Sequence, residues 1–167
     1  MYPDYNMYSQ YYGLEEYNYR NTEVQDTSGE VITFNQAIGL IRKSVSNEKT
    51  DEMFYDILIK QATTEKEKNI IRTIRNDERK HNQILRRLYF EFTVQTLQLT
   101  GPTTETSETA YKENLEKALF DELDAVKKYR KILGVMPSGS CYILLMSIMT
   151  DELIHASKYN FLIHNAK

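Results

Sequence analysis

The chain has 167 residues, 41% of them apolar and 27% charged, with a formal net charge of −3. That is one domain's length with material for a real core, and its charge balance offers no footprint for nucleic acid or an anionic membrane. A single cysteine, Cys141, excludes a disulfide framework and any Cys-x-x-Cys iron or zinc knuckle. The longest apolar stretch, Cys141 to Met149, is about half the ~20 residues a membrane helix needs. No basic segment followed by an apolar run opens the chain, so the expected address is the cytoplasm.

Residues 1–30 carry Tyr2, Tyr5, Tyr8, Tyr11, Tyr12, Tyr17 and Tyr19 among Asn, Gln, Ser and Asp. Neither helical nor strand periodicity holds there and aliphatic residues are scarce, so the segment is expected to be a tail without a core of its own. Residues 31–167 are expected to form the folded domain. Thr33 with Gln36 is a capping-box start, followed by an apolar stripe of Ile38, Ile41, Val45, Tyr55 and Ile59. Thr64 with Glu67 opens a second stripe of Ile70, Ile74, Leu85 and Leu88. After Gly101-Pro102 and a Thr/Ser-rich connection, a third runs through Tyr111, Leu115, Leu119, Val126, Tyr129 and Ile132. Gly134, Pro137 and Gly139 end it, and Leu145, Ile148 and Leu162 mark a fourth. The spacing predicts an all-α four-helix bundle.

The two halves repeat. Sliding the chain by 74 residues superposes Glu48 on Glu122, Tyr55 on Tyr129, Asp77 on Asp151, Glu78 on Glu152 and His81 on His155. Ile74 falls on Ile148, Lys43 on Lys117 and Leu88 on Leu162. A repeat kept for packing alone would show its identities among aliphatics. Here they concentrate on polar residues.

Helix positions three apart lie roughly 60° apart around the axis, and positions seven apart nearly coincide. Glu78 therefore shares a face with His81, Glu152 with His155, Glu48 with Tyr55 and Glu122 with Tyr129. All six Glu and His positions fall inside the apolar stripes. Four carboxylates in a low-dielectric interior repel one another and lose hydration at several kcal/mol per ion. Two divalent ions bring four positive charges against them, and two neutral imidazoles complete the donors. Such donors suit iron or manganese, and zinc also binds them. A lone Glu-x-x-His is usually a solvated or capped pair, and Glu48 and Glu122 sit in acidic surroundings, but the in-register duplication selects these residues independently. Asp77 and Asp151 are expected beside the ligands, Asp77 holding the outer ring nitrogen of His155 and Asp151 that of His81; surface exposure is the alternative. Tyr55 and Tyr129 are expected to hydrogen-bond the ligand glutamates or act as redox-active neighbours, or else to be plain core aromatics.

Glu-x6-Tyr followed by Asp-Glu-x-x-His, twice, resembles the ferritin-like superfamily and within it the rubrerythrin-related di-iron carboxylate proteins, over about Thr33 to Ala166. The resemblance implies two repeated helical hairpins, with a long crossover between the second and third helices. If those helices end near Phe92 and begin near Glu108, the link spans about 40 Å, within reach of some fifteen extended residues. It implies Glu78 and Glu152 as bridging ligands, Glu48 and Glu122 as terminal carboxylates, and His81 and His155 as terminal nitrogen donors to two iron ions. Two departures stand out: Ala125 occupies the place of an additional glutamate of rubrerythrins, and one cysteine cannot build their rubredoxin domain. The function so implied is an oxidoreductase acting on peroxide or oxygen, or oxidising ferrous iron, with an unspecified electron donor and pairing into a homodimer. The second expectation is structural: small proteins of this kind are similar to proteins found with bacterial spore coats, and a tyrosine-rich tail suits assembly or cross-linking there.

Overall fold

The computed structural model describes residues 19–25, 29–46, 48–97 and 109–166, apart from the side chains of Tyr19 and of 48–51. The end of the tyrosine-rich segment holds more regular structure than its composition suggests. After a 3-10 turn at Tyr19–Asn21, strand β1 (Glu23–Gln25) pairs antiparallel with β2 (Val31–Thr33), Val24 opposite Ile32. Three residues are too few for an alternating pattern to register. Ile32 is nevertheless buried, Val24 packs against the core, and Glu30 forms an ion pair with Lys131.

Helix α1 (Phe34–Ser46) starts on the reciprocal cap that its sequence encodes: Gln36 N–H donates to Thr33 Oγ1 at 3.3 Å and Thr33 N–H to Gln36 Oε1 at 2.8 Å. The stripe from Ile38 to Ile59 runs on from α1 into the next described helix. Helix α2 spans Glu48–Gln61, and position 47 lies outside the described residues. Ser44 and Ser46 donate back to the carbonyls of Leu40 and Arg42. Helix α3 (Glu65–Thr93) begins on the Thr64–Glu67 capping box. Helix α4 (Tyr111–Val135) and helix α5 (Ser140–Asn165) are joined through Gly139, whose φ of 120° excludes a side chain at low cost.

Four contacts fix the topology. Asp56 pairs with Arg75 and Glu52 with Arg79, so α2 and α3 run antiparallel. Phe92 packs edge-on against Phe34 with ring centroids 5.3 Å apart, placing the end of α3 beside the start of α1. Asn114 donates to Gln61 at 2.9 Å, placing the start of α4 beside the end of α2. Helices α3 and α4 therefore run parallel, and the chain crosses the length of the bundle between them. The architecture is all-α in its body, a ferritin-like helical bundle with one small hairpin at its edge.

The core has two apolar regions. One gathers Phe34, Ile41, Leu88, Ile132 and Ile148; the other gathers Leu58, Ile71, Ile74, Leu115 and Leu162. Each such side chain contributes about 1.5–3 kcal/mol by leaving water. Between the two lies a layer of buried polar groups.

Candidate metal centre

The polar layer holds His81 from α3, Glu122 from α4, and Glu152 and His155 from α5, all buried. Glu78, one turn before His81, reaches into the same layer. The two imidazoles stack loosely, 5.7 Å between centroids. Both turn Nδ1 inward. His81 Nδ1 is 3.3 Å from Glu78 Oε1 and 3.7 Å from Glu152 Oε1. His155 Nδ1 is 3.0 Å from Glu78 Oε1, 3.3 Å from Glu152 Oε2 and 3.7 Å from Glu122 Oε1. Glu78 and Glu152 thus approach both rings, while Glu122 approaches one. Single donor atoms of Glu78, Glu122, Glu152 and His155 all lie within 4.8 Å of one another, the spacing of a group able to hold a metal ion.

The outer ring nitrogens meet aspartates. His81 Nε2 is 3.0 Å from Asp151 Oδ2, and His155 Nε2 is 3.6 Å from Asp77 Oδ2. Tyr55 of α2 and Tyr129 of α4 are buried and line the cleft that leads to the cluster. Glu48 is the first residue of α2, and its side chain lies outside the described residues.

Inside the layer, Glu78 Oε1, Glu152 Oε2, Nδ1 of both histidines and His155 Nε2 are buried without a hydrogen-bond partner. Their mutual approaches miss hydrogen-bonding directions. A buried polar atom left so costs about 1–3 kcal/mol, and the four that face one another, all but His155 Nε2, require something else to satisfy them. Carboxylate oxygens and imidazole nitrogens are donors suited to iron, manganese or zinc, so the residues fit a divalent metal ion.

Protons stand in when cations are absent. Burial raises the Glu152 carboxyl to about 9, reinforced by the charge of Glu78 and by Glu122. Burial alone would lower His155 and raise Glu78, but Glu122, Glu152 and Glu78 hold the His155 imidazole up at about 12. The two imidazoliums in turn hold Glu78 down at about 2. His81 is raised against its burial by Glu78, Glu152 and Asp151. The cluster is therefore a nest of carboxylates neutralised from within.

A cleft of about 410 Å³ reaches the cluster between α2, α3 and α4, and Ala125 lies on its wall. One lining residue escapes sequence reasoning altogether. Tyr159 is fully buried, and its hydroxyl has no hydrogen-bond partner. The repeat sets Tyr159 against Leu85, so no duplication flags it; its place on the Glu152–His155 face, one turn beyond His155, is the signal that could have. Burial, foremost, and the nearby glutamates raise the hydroxyls of Tyr55, Tyr129 and Tyr159 well above the ordinary tyrosine value, so all three remain O–H donors at neutral pH.

Fold and cluster together define a ferritin-like bundle with a buried carboxylate–histidine centre. The family model described as Rubrerythrin matches residues 40–163, and the chain belongs to the rubrerythrin family. Among solved structures it is similar to a conserved hypothetical protein, rv2844, from Mycobacterium tuberculosis, with a TM-score of 0.66 and 10% identity over 81% of this chain and 96% of that one. At that identity the likeness concerns the fold. No curated protein matches the chain. Among the described residues no helix is long and apolar enough to cross a membrane.

Proposed function

We propose that this chain is a non-haem di-iron carboxylate oxidoreductase acting on peroxide or oxygen, or oxidising ferrous iron. The observation that carries the reading is the set of four buried, partnerless donor atoms, Glu78 Oε1, Glu152 Oε2 and Nδ1 of His81 and His155, at the floor of an open cleft. In this reading Glu78, Glu152, Glu122 and Glu48 would hold the metals through their carboxylates, and His81 and His155 through Nδ1. A bound pair of ferrous ions supplies two electrons, which with two protons suffice to reduce one peroxide to two waters.

The protein's part is to bind, orient and protect. Asp151 holds the outer nitrogen of His81 and Asp77 stands near that of His155, so that Nδ1 is the inward donor of each histidine. Glu152 and the imidazoles release their protons as cations enter. Tyr55, Tyr129 and Tyr159 present neutral hydroxyls to the carboxylates and to any small oxygen ligand in the cleft. The apolar regions above and below limit water to the cleft itself. With Ala125 in place of a further carboxylate, this side of the cleft offers no alternative ligand there.

Metal content after aerobic purification from iron-supplied cells, then stopped-flow mixing of the ferrous protein with peroxide, tests the reading. Two irons per chain and an absorbance change lost in Glu122→Ala are expected. Zinc in stoichiometric amount with no ferrous reactivity refutes it. The seven tyrosines of residues 1–30 support a second reading, a spore-coat assembly role; deleting residues 1–18 abolishes cross-linking on that account and leaves solution activity intact.

A further inference from the structure

Bound cations would satisfy the inward atoms of the cluster, but two other buried donors among the residues of the same cleft would still lack an acceptor. One is the Tyr159 hydroxyl, the other Nε of Arg75. The Arg75 guanidinium gives Nη1 to Asp56 at 2.8 Å and leaves Nε buried without a partner. Arg75 stands one turn before Glu78 on α3, and Tyr159 one turn after His155 on α5. Asp151 meets His81 and Lys158 meets Thr73, so these helices are antiparallel and both donors lie to the same side of the cluster. They also stand beside consecutive residues of α2, Tyr55 and Asp56. A buried N–H or O–H without an acceptor costs about 1–3 kcal/mol. Two in one cleft call for a ligand that brings the acceptors.

The cleft is also larger than peroxide needs. Its volume of about 410 Å³ falls within the roughly 300–1,000 Å³ of sites that hold small organic molecules. Two oxygen atoms fill on the order of 60 Å³, the share of two waters. Phe54, Leu85, Ala118 and Ala125 give the cleft an apolar wall. The two alanines lie two turns apart on α4, on either side of Glu122, so the room they leave is next to the cluster itself. Lys117 reaches from α4 to the Phe54 ring of α2, its Nζ 4.7 Å from the centroid, so a cation flanks the apolar wall as well. A guanidinium N–H to a carboxylate is among the stronger hydrogen bonds, and Arg75 has one such N–H left to give.

We propose that the cleft takes an organic hydroperoxide bearing a carboxylate. The carboxylate lies at Arg75 Nε with Lys117 alongside, the apolar body lies against Phe54, Ala118 and Ala125, and the peroxy group reaches the floor, where Tyr159 donates to it. The proposal rests on the oxidoreductase reading above. The O–O bond is the one that breaks. It takes up the ferrous pair's two electrons and two protons from water of the cleft, and leaves as an alcohol and a water with both irons ferric. Arg75 and the two alanines decide which peroxide is accepted and take no part in the cleavage.

Two probes differ only in the acidic group: cumene hydroperoxide and its 4-carboxylate. In stopped-flow mixing with the ferrous protein the carboxylate should react at least tenfold faster at limiting concentration, and Arg75→Gln should erase that preference. Ala125→Phe, which fills the cleft beside Glu122, should lower the rate with either organic probe at least tenfold relative to the rate with hydrogen peroxide. Binding is read without turnover. The unreactive alcohol of the carboxylate probe should bind the protein as purified with a dissociation constant below about 1 mM. Arg75→Gln should weaken it at least tenfold, with circular dichroism confirming that the variant is folded. If the ferrous protein reduces hydrogen peroxide yet shows no carboxylate preference and no binding of the alcohol, the inference is overturned and the oxidoreductase reading stands. A ferrous protein inert toward hydrogen peroxide as well refutes that reading instead.

Discussion

Asp151 Oδ2 stands 3.0 Å from His81 Nε2, on the side of the ring opposite the nitrogen that faces Glu78 and Glu152. The equivalent pair in the other half is looser: Asp77 Oδ2 is 3.6 Å from His155 Nε2, and Asp77 also binds Lys80 at 2.9 Å. A carboxylate holding the outer nitrogen fixes the tautomer and strengthens the inner nitrogen as a donor. The repeat makes the two aspartates equivalent in sequence; their partners make them unequal in the fold.

Removing Asp151 should therefore cost more than removing Asp77. We expect Asp151→Ala to lower metal affinity by about 10–100-fold, and Asp77→Ala by clearly less. Competition against a chromophoric chelator measures both. Equal losses, or a larger one at Asp77, would contradict the tighter hold on His81.

The protons in the cluster give the metal-free protein a signed dependence on pH. Glu152, raised by burial to about 9, and His155, raised by its carboxylate neighbours to about 12, favour folding while protonated. The Glu152 contribution is complete below the ordinary glutamate value and is lost as pH rises toward 9. The His155 contribution is complete below the ordinary histidine value and is lost as pH rises toward about 12. Glu78, held down at about 2, contributes in the opposite sense and is lost only in strong acid. Metals displace the same protons, so their affinity grows with pH. The melting temperature of the metal-free protein should fall between pH 6 and 9 while the gap to the loaded protein widens. Glu152→Gln, which copies the protonated carboxyl, should flatten the fall and abolish stoichiometric loading. Parallel melting curves for loaded and metal-free protein would sink this account.

Much of this was legible because it is periodic. The polar identities at a single offset name Glu78, His81, Glu152 and His155, and the capping threonines name the starts of α1 and α3. Strand β1 is too short to show alternation, and only Ile32 across from Val24 makes it visible. Tyr159 was hidden for the converse reason. It has no counterpart in the first half, and a tyrosine on an apolar stripe reads as packing until its hydroxyl is found without a partner.

The start of α3 offers a stability test remote from the cluster. Glu67 is buried, and its Oε2 accepts from the N–H groups of Thr63 and Thr64, both at 2.9 Å, and from the Thr63 hydroxyl. Burial works against its charge, but these donors outweigh it and hold the carboxyl below its ordinary value. Thr64→Ala should cost about 1 kcal/mol, a drop of roughly 2–4 °C in melting temperature. Glu67→Ala should cost more, since it strands buried donors as well. Thermal denaturation of both metal-free variants ranks them; the reverse order would show that the cap rests on Thr64 instead.

Tyr159 separates structural from functional use of a buried hydroxyl. A hydroxyl kept for packing would have a protein partner, and losing it would destabilise the fold whatever the cluster holds. This one has no partner in hydrogen-bonding geometry and only the Tyr55 hydroxyl near it, so Tyr159→Phe removes a poorly satisfied group and should leave the metal-free protein as stable or more so, by up to about 1 kcal/mol. In the loaded protein the same change deletes an O–H donor at the floor of the cleft, beside the carboxylates that raise it. Azide, a small anion that would occupy the same space, should then bind at least threefold more weakly, read from its charge-transfer absorbance. The two readouts must move in opposite senses. A variant that loses stability without metal and binds azide normally would assign Tyr159 to the core alone.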